Sequence, residues 1–300
     1  MAAAAAGNGA GNGSSAGEPP LISIDRVPPG ACGQPEGGAA GGGDSGVRLL
    51  TLRNPKGSLN SLTVEMAAAF EAALERLAGD AGARAVVVTG EGRAFSAGGD
   101  YGFIEDRQNG DVADNEAVLA RFYTTFLALR KLPVPFVAAV NGPAVGGGMG
   151  LAMACDMRIA SSAAKLSFNF VKLGLTPGMA SATVLPAATN HQIACRLLLT
   201  GDLIDAHEAL RLGLVLEVVE PAELLPAAQR LAGRIASASP SAVSATLRAL
   251  RARLPWGELE AAAGAEAAAQ ALFFKQEDCR EGVDSVKQKR PAKFGPRREF

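Results

Sequence analysis

The chain is poor in metal-binding and redox-active side chains. Its 300 residues include four cysteines and two histidines. Cys32, Cys155, Cys195 and Cys279 are widely spaced and form no Cys-x-x-Cys pair. With so few histidines no zinc set is expected, and the thiols read as free in a reducing compartment. No uninterrupted apolar run is long enough to cross a bilayer, which excludes a membrane-spanning helix. Net charge is −1, which excludes a whole-chain basic field that recruits nucleic acid or anionic membrane. No basic segment precedes an apolar one near the start, and the first arginine, Arg26, follows the acids Glu18 and Asp25. The chain ends Arg298-Glu299-Phe300, which is not a peroxisomal tripeptide. Neither membrane nor nucleic acid is expected as a partner, and the cytoplasm is the expected location.

What is present is a large apolar reserve, 48% of residues. It is unevenly spread. Residues 1–46 are rich in Ala, Gly, Asn and Ser without apolar periodicity, so a disordered tail is expected there. From 47 onward, strand and helix patterns alternate. Strands are predicted at 47–52, 84–89, 136–140, 156–160, 165–168 and 214–219. Thr63 is placed to cap a helix over 64–77, whose Met66, Phe70, Leu74 and Leu77 recur at helical spacing. Further helices are predicted at 115–131 and 147–154, and over 180–210 with breaks at Pro186 and Gly201. Amphipathic helices follow at 222–238, 241–253, 256–275 and 277–288. This order predicts an α/β core with a helical C-terminal segment.

Two glycine-rich elements carry the functional signal. They are Arg93-Ala94-Phe95-Ser96-Ala97-Gly98-Gly99-Asp100 and Val140-Asn141-Gly142-Pro143-Ala144-Val145-Gly146-Gly147-Gly148-Met149-Gly150. Each follows a short apolar strand. Alone, either is an ordinary tight turn. Together they provide two loops whose bare backbone can aim two N–H donors at one oxygen, the requirement of an oxyanion hole.

These elements stand in a longer ordered series: Asn54-Pro55 with Leu59-Asn60-Ser61-Leu62, Ala154-Cys155-Asp156, Leu173-Gly174-Leu175-Thr176-Pro177-Gly178, Leu199-Thr200-Gly201, Glu208 through Val215, Asp278 through Val283, and Lys289-Arg290. The series resembles the crotonase superfamily, the enoyl-CoA hydratases and isomerases, from about residue 47 to the end. The resemblance implies an α/β fold with a ββα-spiral core over 47–220 and a helical oligomerisation region over 221–300 that forms a homotrimer or a dimer of trimers. It implies an acyl-CoA thioester substrate, with coenzyme A arriving as part of that substrate and no separate cofactor or metal. It also implies that the Gly99 and Gly147 amides form the oxyanion hole. Residues from Gly99 through Tyr101 to Gly102 would line the pantetheine path, Ala94 and Ser96 would sit by the adenine, and Lys56 and Lys289 would supply cations to the CoA.

The same resemblance exposes a gap. Hydratases of this family carry one glutamate two residues after the glycine element and another three residues before the Leu-Gly motif. Here these positions are Gly150 and Phe170. Monofunctional isomerases carry a carboxylate where this chain has Gly178. Neither glycine nor phenylalanine can move a proton. Asp100 and Tyr101 are the candidate acids or bases beside the first donor, with structural loop roles as their alternative. Glu105, Asp106 and Arg107, then Asn169 and Thr176, then His191 and His207 are weaker candidates with surface, turn or cap roles as alternatives. Three functions remain open: an acyl-CoA hydratase/isomerase with an unusual acid–base set, a decarboxylase of the same fold, or a catalytically inactive homologue that binds CoA or RNA.

Overall fold

A computed structural model describes residues 20–34, 43–54 and 59–296. Among these, six strands form the main sheet: β1 (Ile22–Arg26), β2 (Val47–Leu52), β3 (Ala85–Gly90), β4 (Phe136–Val140), β6 (Met157–Ser161) and β9 (Glu217–Val219), in the order β1-β2-β3-β4-β6-β9. The β1–β2 pair is antiparallel and every other pair is parallel. A small second sheet joins β5 (Ala144–Val145), β7 (Lys165–Ser167) and β8 (Ile204–Asp205). The helices are α1 (Val64–Ala78), α2 (Tyr101–Asn109), α3 (Val112–Leu127), α4 (Gly147–Ala154), α5 (Ser181–Ala188), α6 (His191–Thr200), α7 (Ala206–Arg211), α8 (Leu224–Ala236), α9 (Pro240–Arg251), α10 (Trp256–Phe273) and α11 (Glu277–Lys287). The α/β class expected from the sequence is what forms.

The central strands read as apolar runs because both faces of the sheet are covered. Val86, Val88, Ala138 and Val140 face one core, with Phe70 of α1 and Phe126 of α3. Ala85, Val87, Val137 and Ala139 face the other, under Ala228 and Ala232 of α8. Successive side chains of a strand point to opposite faces, so one run feeds two cores. The Thr63 side chain accepts from Met66 N at the start of α1, as its cap pattern predicts.

Two expectations are corrected. Residues 20–34 are not a disordered tail: Ile22–Arg26 pairs with β2 in register, Ile22 to Leu52, because Ile22 packs inward and sheet bonds offset the cost of ordering so short a segment. Residues 1–19 and 35–42 lie outside the described residues. Beyond 220, α8 lies directly on the main sheet and α10 packs along α3. Pro186 does not break α5; it sits inside that helix, and the turn falls at Thr189-Asn190, where Asn190 caps α6 by accepting from Ile193 N. A helix not anticipated from the sequence spans Tyr101–Asn109, started by Asp100, whose carboxylate accepts from Phe103 N at 2.6 Å.

Candidate active site

Strands β3 and β4 are parallel neighbours, so the loops that follow them leave the same edge of the sheet. These are the two glycine elements. Crevices at the carboxyl ends of parallel strands are where such sheets bind ligands. The loops are tied together by backbone bonds: Phe95 N and Ser96 N donate to Pro143 O at 3.1 Å, and Val145 N donates to Ser96 O at 3.0 Å. Asn141 Nδ2 donates to Gly92 O and Ala94 O. Glycine is required where they touch. A Cβ on Gly98, whose φ is +80°, would lie 2.5 Å from Val145 O and 3.0 Å from Gly147 N. A Cβ on Gly148 would lie 2.2 Å from Ser96 O.

Most amides along these loops are already committed. Ala97 N donates to Leu59 O, and Gly146 N to Ser167 O. Gly98 N donates to Ser96 Oγ. Gly147 opens α4, so its N–H has no acceptor within that helix. Among the described residues, neither the Gly99 nor the Gly147 N–H has a hydrogen-bond acceptor within the protein. The two amides are neighbours: a Cβ built on Gly147 would stand 3.9 Å from Gly99 N.

A cavity of about 370 Å³ opens on these loops and takes Gly98, Gly99, Gly146 and Gly147 into its wall. Its buried end is apolar, with Phe122, Phe170, Leu173 and Phe274. At its exposed side are Arg93 and Tyr101, the latter 40% exposed with the Lys287 ammonium 5.8 Å from its ring centre. Asp100 also lines the cavity, but its carboxylate is engaged as the cap of α2. Burial raises the Tyr101 phenol and Lys287 opposes that rise.

The polar groups at the buried end come from distant segments. Tyr123 of α3 is 4% exposed, and its hydroxyl donates to Gln270 Oε1 of α10. Gln270 Nε2 in turn donates to Thr176 O. Burial pushes the Tyr123 phenol well above its ordinary range, with the nearby Glu266 carboxylate adding to the effect. Sequence patterning places Tyr123 and Gln270 on helices, yet carries no sign that they meet in a cavity.

The three positions at which the resemblance expects carboxylates hold residues that the packing explains. A Cβ on Gly150 would sit 2.5 Å from Met179 Cβ, so Met179 takes that space. Phe170 presents its ring to the cavity. A Cβ on Gly178 would lie 2.6 Å from Tyr123 Oη. Met179 and Ala180 hold the loop in left-handed conformations, with φ of +63° and +55°.

Other expected residues fall elsewhere. Ala94 and Ser96 are buried: Ala94 O accepts from Asn60 and Asn141, and Ser96 spends its backbone on Pro143 and Val145. The next residue, Ala97, lines the cavity. Gly102 lies within α2, Lys289 is exposed beyond α11 with φ of +53°, and Lys56 is outside the described residues. Glu105 pairs with Lys287, and the Arg107 guanidinium stands 5.4 Å from the Phe103 ring centre. Asn169 lines the cavity. His191, at the start of α6, approaches Cys195 Sγ at 3.3 Å on an exposed helix face, and His207 belongs to α7.

Parallel strands feeding two interlocked glycine loops over an apolar cavity define a crotonase-type fold. The match to known proteins agrees. Residues 42–297 match the family model described as enoyl-CoA hydratase/isomerase. The crotonyl-CoA hydratase of Syntrophomonas wolfei is 36% identical over 249 residues, 83% of this chain and 94% of that protein. A solved enoyl-CoA hydratase/isomerase from Pseudoalteromonas atlantica T6c superposes with a TM-score of 0.72 at 32% identity, covering 84% of this chain and 97% of that one. A third, from Xanthobacter autotrophicus Py2, reaches 0.76 at 28% identity, over 89% and 93%. The chain belongs to the enoyl-CoA hydratase/isomerase family.

Proposed function

We propose that this protein binds an acyl-CoA thioester and stabilises its enolate between the Gly99 and Gly147 amides. The observation that carries this reading is the meeting of the two loops, which leaves those adjacent N–H groups without protein acceptors beside an apolar cavity. Backbone donors held in a dry site need no reorganisation as charge develops on the oxygen, and one such donor contributes on the order of 3 kcal/mol. Gly147 adds the positive end of the α4 dipole. The thioester enters with its own CoA, past Tyr101 and Arg93, and no separate cofactor takes part. The protein assembles as a homotrimer or a dimer of trimers, as the family resemblance implies, and acts in the cytoplasm.

The apolar buried end favours a particular branch of this chemistry. Hydration needs a base to take a proton from water. Among the residues of the cavity wall the single carboxylate is Asp100, which caps α2. Loss of CO₂ from a carboxylated acyl thioester needs no base: it leaves the enolate directly, and an apolar wall disfavours the starting carboxylate. Decarboxylation is therefore the second reading, ahead of hydration by paired glutamates.

The test is incubation with enoyl-, malonyl- and hydroxyacyl-CoA thioesters, read by mass for gain of water or loss of CO₂. Binding of acetoacetyl-CoA as its enolate, followed by ultraviolet absorbance, reports the oxyanion hole alone. A protein that does not bind that enolate ends the proposal.

A further inference from the structure

Tyr123 is the one phenol at the buried end of the cavity, and it stands where the isomerase position would begin its side chain. A Cβ on Gly178 would lie 2.6 Å from Tyr123 Oη and 2.7 Å from Cζ. The other two expected carboxylate sites are filled by groups that carry no transferable proton, Met179 and Phe170. The Tyr123 hydroxyl is oriented through Gln270, whose amide is itself fixed on Thr176 O. Both partners of this chain are uncharged, so the phenol keeps its proton while the cavity is empty.

We propose that Tyr123 is the catalytic acid that protonates the thioester enolate left by loss of CO₂ from a 2-carboxyacyl-CoA, and that Gln270 is its positioning residue. This rests on the acyl-thioester reading above. The bond from the α-carbon to the carboxylate breaks, CO₂ leaves, and the electron pair stays as an enolate whose oxygen lies on the Gly99 and Gly147 amides. The enolate carbon then takes the Tyr123 proton: a C–H bond forms, the phenol O–H bond breaks, and the thioester carbonyl is restored. Water reprotonates the phenolate, and the hydroxide that remains combines with CO₂ as bicarbonate. A thioester enolate is a far stronger base than a phenolate, so the transfer runs downhill even though burial raises the phenol.

The experiment uses the full chain as wild type, Tyr123→Phe, Gln270→Leu and Gln270→Glu. Malonyl-, methylmalonyl- and ethylmalonyl-CoA are supplied in D₂O, with acetoacetyl-CoA binding and a thermal melt measured in parallel. The wild type is expected to release CO₂ from at least one of the three and to place one deuterium on the α-carbon. Tyr123→Phe, which keeps the ring, should lower kcat by about 10²-fold or more with KM and melting temperature little changed. Gln270→Leu should lower kcat by a smaller factor, and Gln270→Glu, which keeps an acceptor for the hydroxyl but loses the donor to Thr176 O, should restore only part of it. A Tyr123→Phe enzyme with wild-type kcat overturns the proposal. So does a wild type that binds acetoacetyl-CoA yet decarboxylates none of the three, a result that leaves the oxyanion hole standing. Failure to bind acetoacetyl-CoA overturns the underlying reading as well.

Discussion

The two ends of one cavity are built from different materials. At the glycine loops, position is set by backbone: Phe95 and Ser96 on Pro143, Val145 on Ser96, and no side chain between Gly98 and Gly147. At the buried end it is set by side chains from three segments: Tyr123, Phe170 and Gln270. Backbone geometry tolerates almost no substitution but says little about which reaction follows. Side chains can be exchanged within the same frame, and they decide where protons go. In this chain the glycine loops of the hydratase/isomerase fold meet over a cavity whose buried end is an apolar wall with one phenol.

The largest expected effect falls on the loops. Gly98→Val puts a branched side chain at φ of +80° with its Cβ 2.5 Å from Val145 O. The loops must part, and the Gly147 amide moves with them. Turnover and acetoacetyl-CoA binding are expected to fall by about 10²–10³-fold, the loss of one oxyanion donor. A variant that melts normally and still binds the enolate at wild-type strength would show that the two loops are not what holds the oxygen.

The wall should respond in stability first. Restoring the isomerase carboxylate with Gly178→Asp drives a Cβ onto Tyr123 Oη, and the buried ring has little room to retreat. Destabilisation of about 2–3 kcal/mol is expected from such overpacking. Combining it with Tyr123→Ala should cost less than the sum of the two single changes, because each relieves the other. Additive losses, measured by denaturant titration, would separate position 178 from Tyr123 and break the contrast at its sharpest point. Gly150→Glu should cost a similar amount, about 2–3 kcal/mol, because the nearest obstacle is Met179 Cβ at 2.5 Å, an atom that no change of side-chain rotamer can move. Met179→Gly, which also suits the left-handed φ there, is expected to recover most of that loss.

The same contrast explains what was legible in the sequence. The loops were readable because backbone chemistry leaves compositional traces: glycine where chains touch, a helix start at Gly147, and β-branched runs before each turn. The strand at 136–140 and the helix at 147–154 form with the predicted bounds. That positions 150, 170 and 178 hold Gly, Phe and Gly was equally plain in sequence. What surrounds them was not, because Tyr123, Met179 and Gln270 are brought together only by the packing of α3, α10 and the loop before α5. A buried tyrosine on the apolar face of α3 has the same pattern as any core aromatic. Asp100 and Tyr101 drew attention by lying next to Gly99, yet proximity in sequence gave one a capping role and left the other at the exposed rim. The edge strand at 22–26 was missed because five residues beside a glycine-rich segment carry too little apolar periodicity to register.

A smaller effect tests how dry the wall is. Glu266 of α10 lies behind Tyr123 and accepts from Ser181 N and Ala182 N at the start of α5. Burial raises its carboxyl to about 7, against the opposing pull of those backbone bonds. The folded value then exceeds the ordinary 4.5, so the folded protein holds more proton than the unfolded chain between about 4.5 and about 7. Stability contributed by this group is complete below that window and is lost as pH rises through it. Glu266→Gln removes the titration while keeping an acceptor for α5. Discounted for solvent screening, the difference should be on the order of 1 kcal/mol. The wild type is expected to lose a few degrees of melting temperature relative to Glu266→Gln between pH 5 and pH 8 (~3 °C for ~1 kcal/mol at this chain length). Parallel curves would mean that water reaches the carboxylate, and that the wall behind Tyr123 is as wet as the loops in front of it.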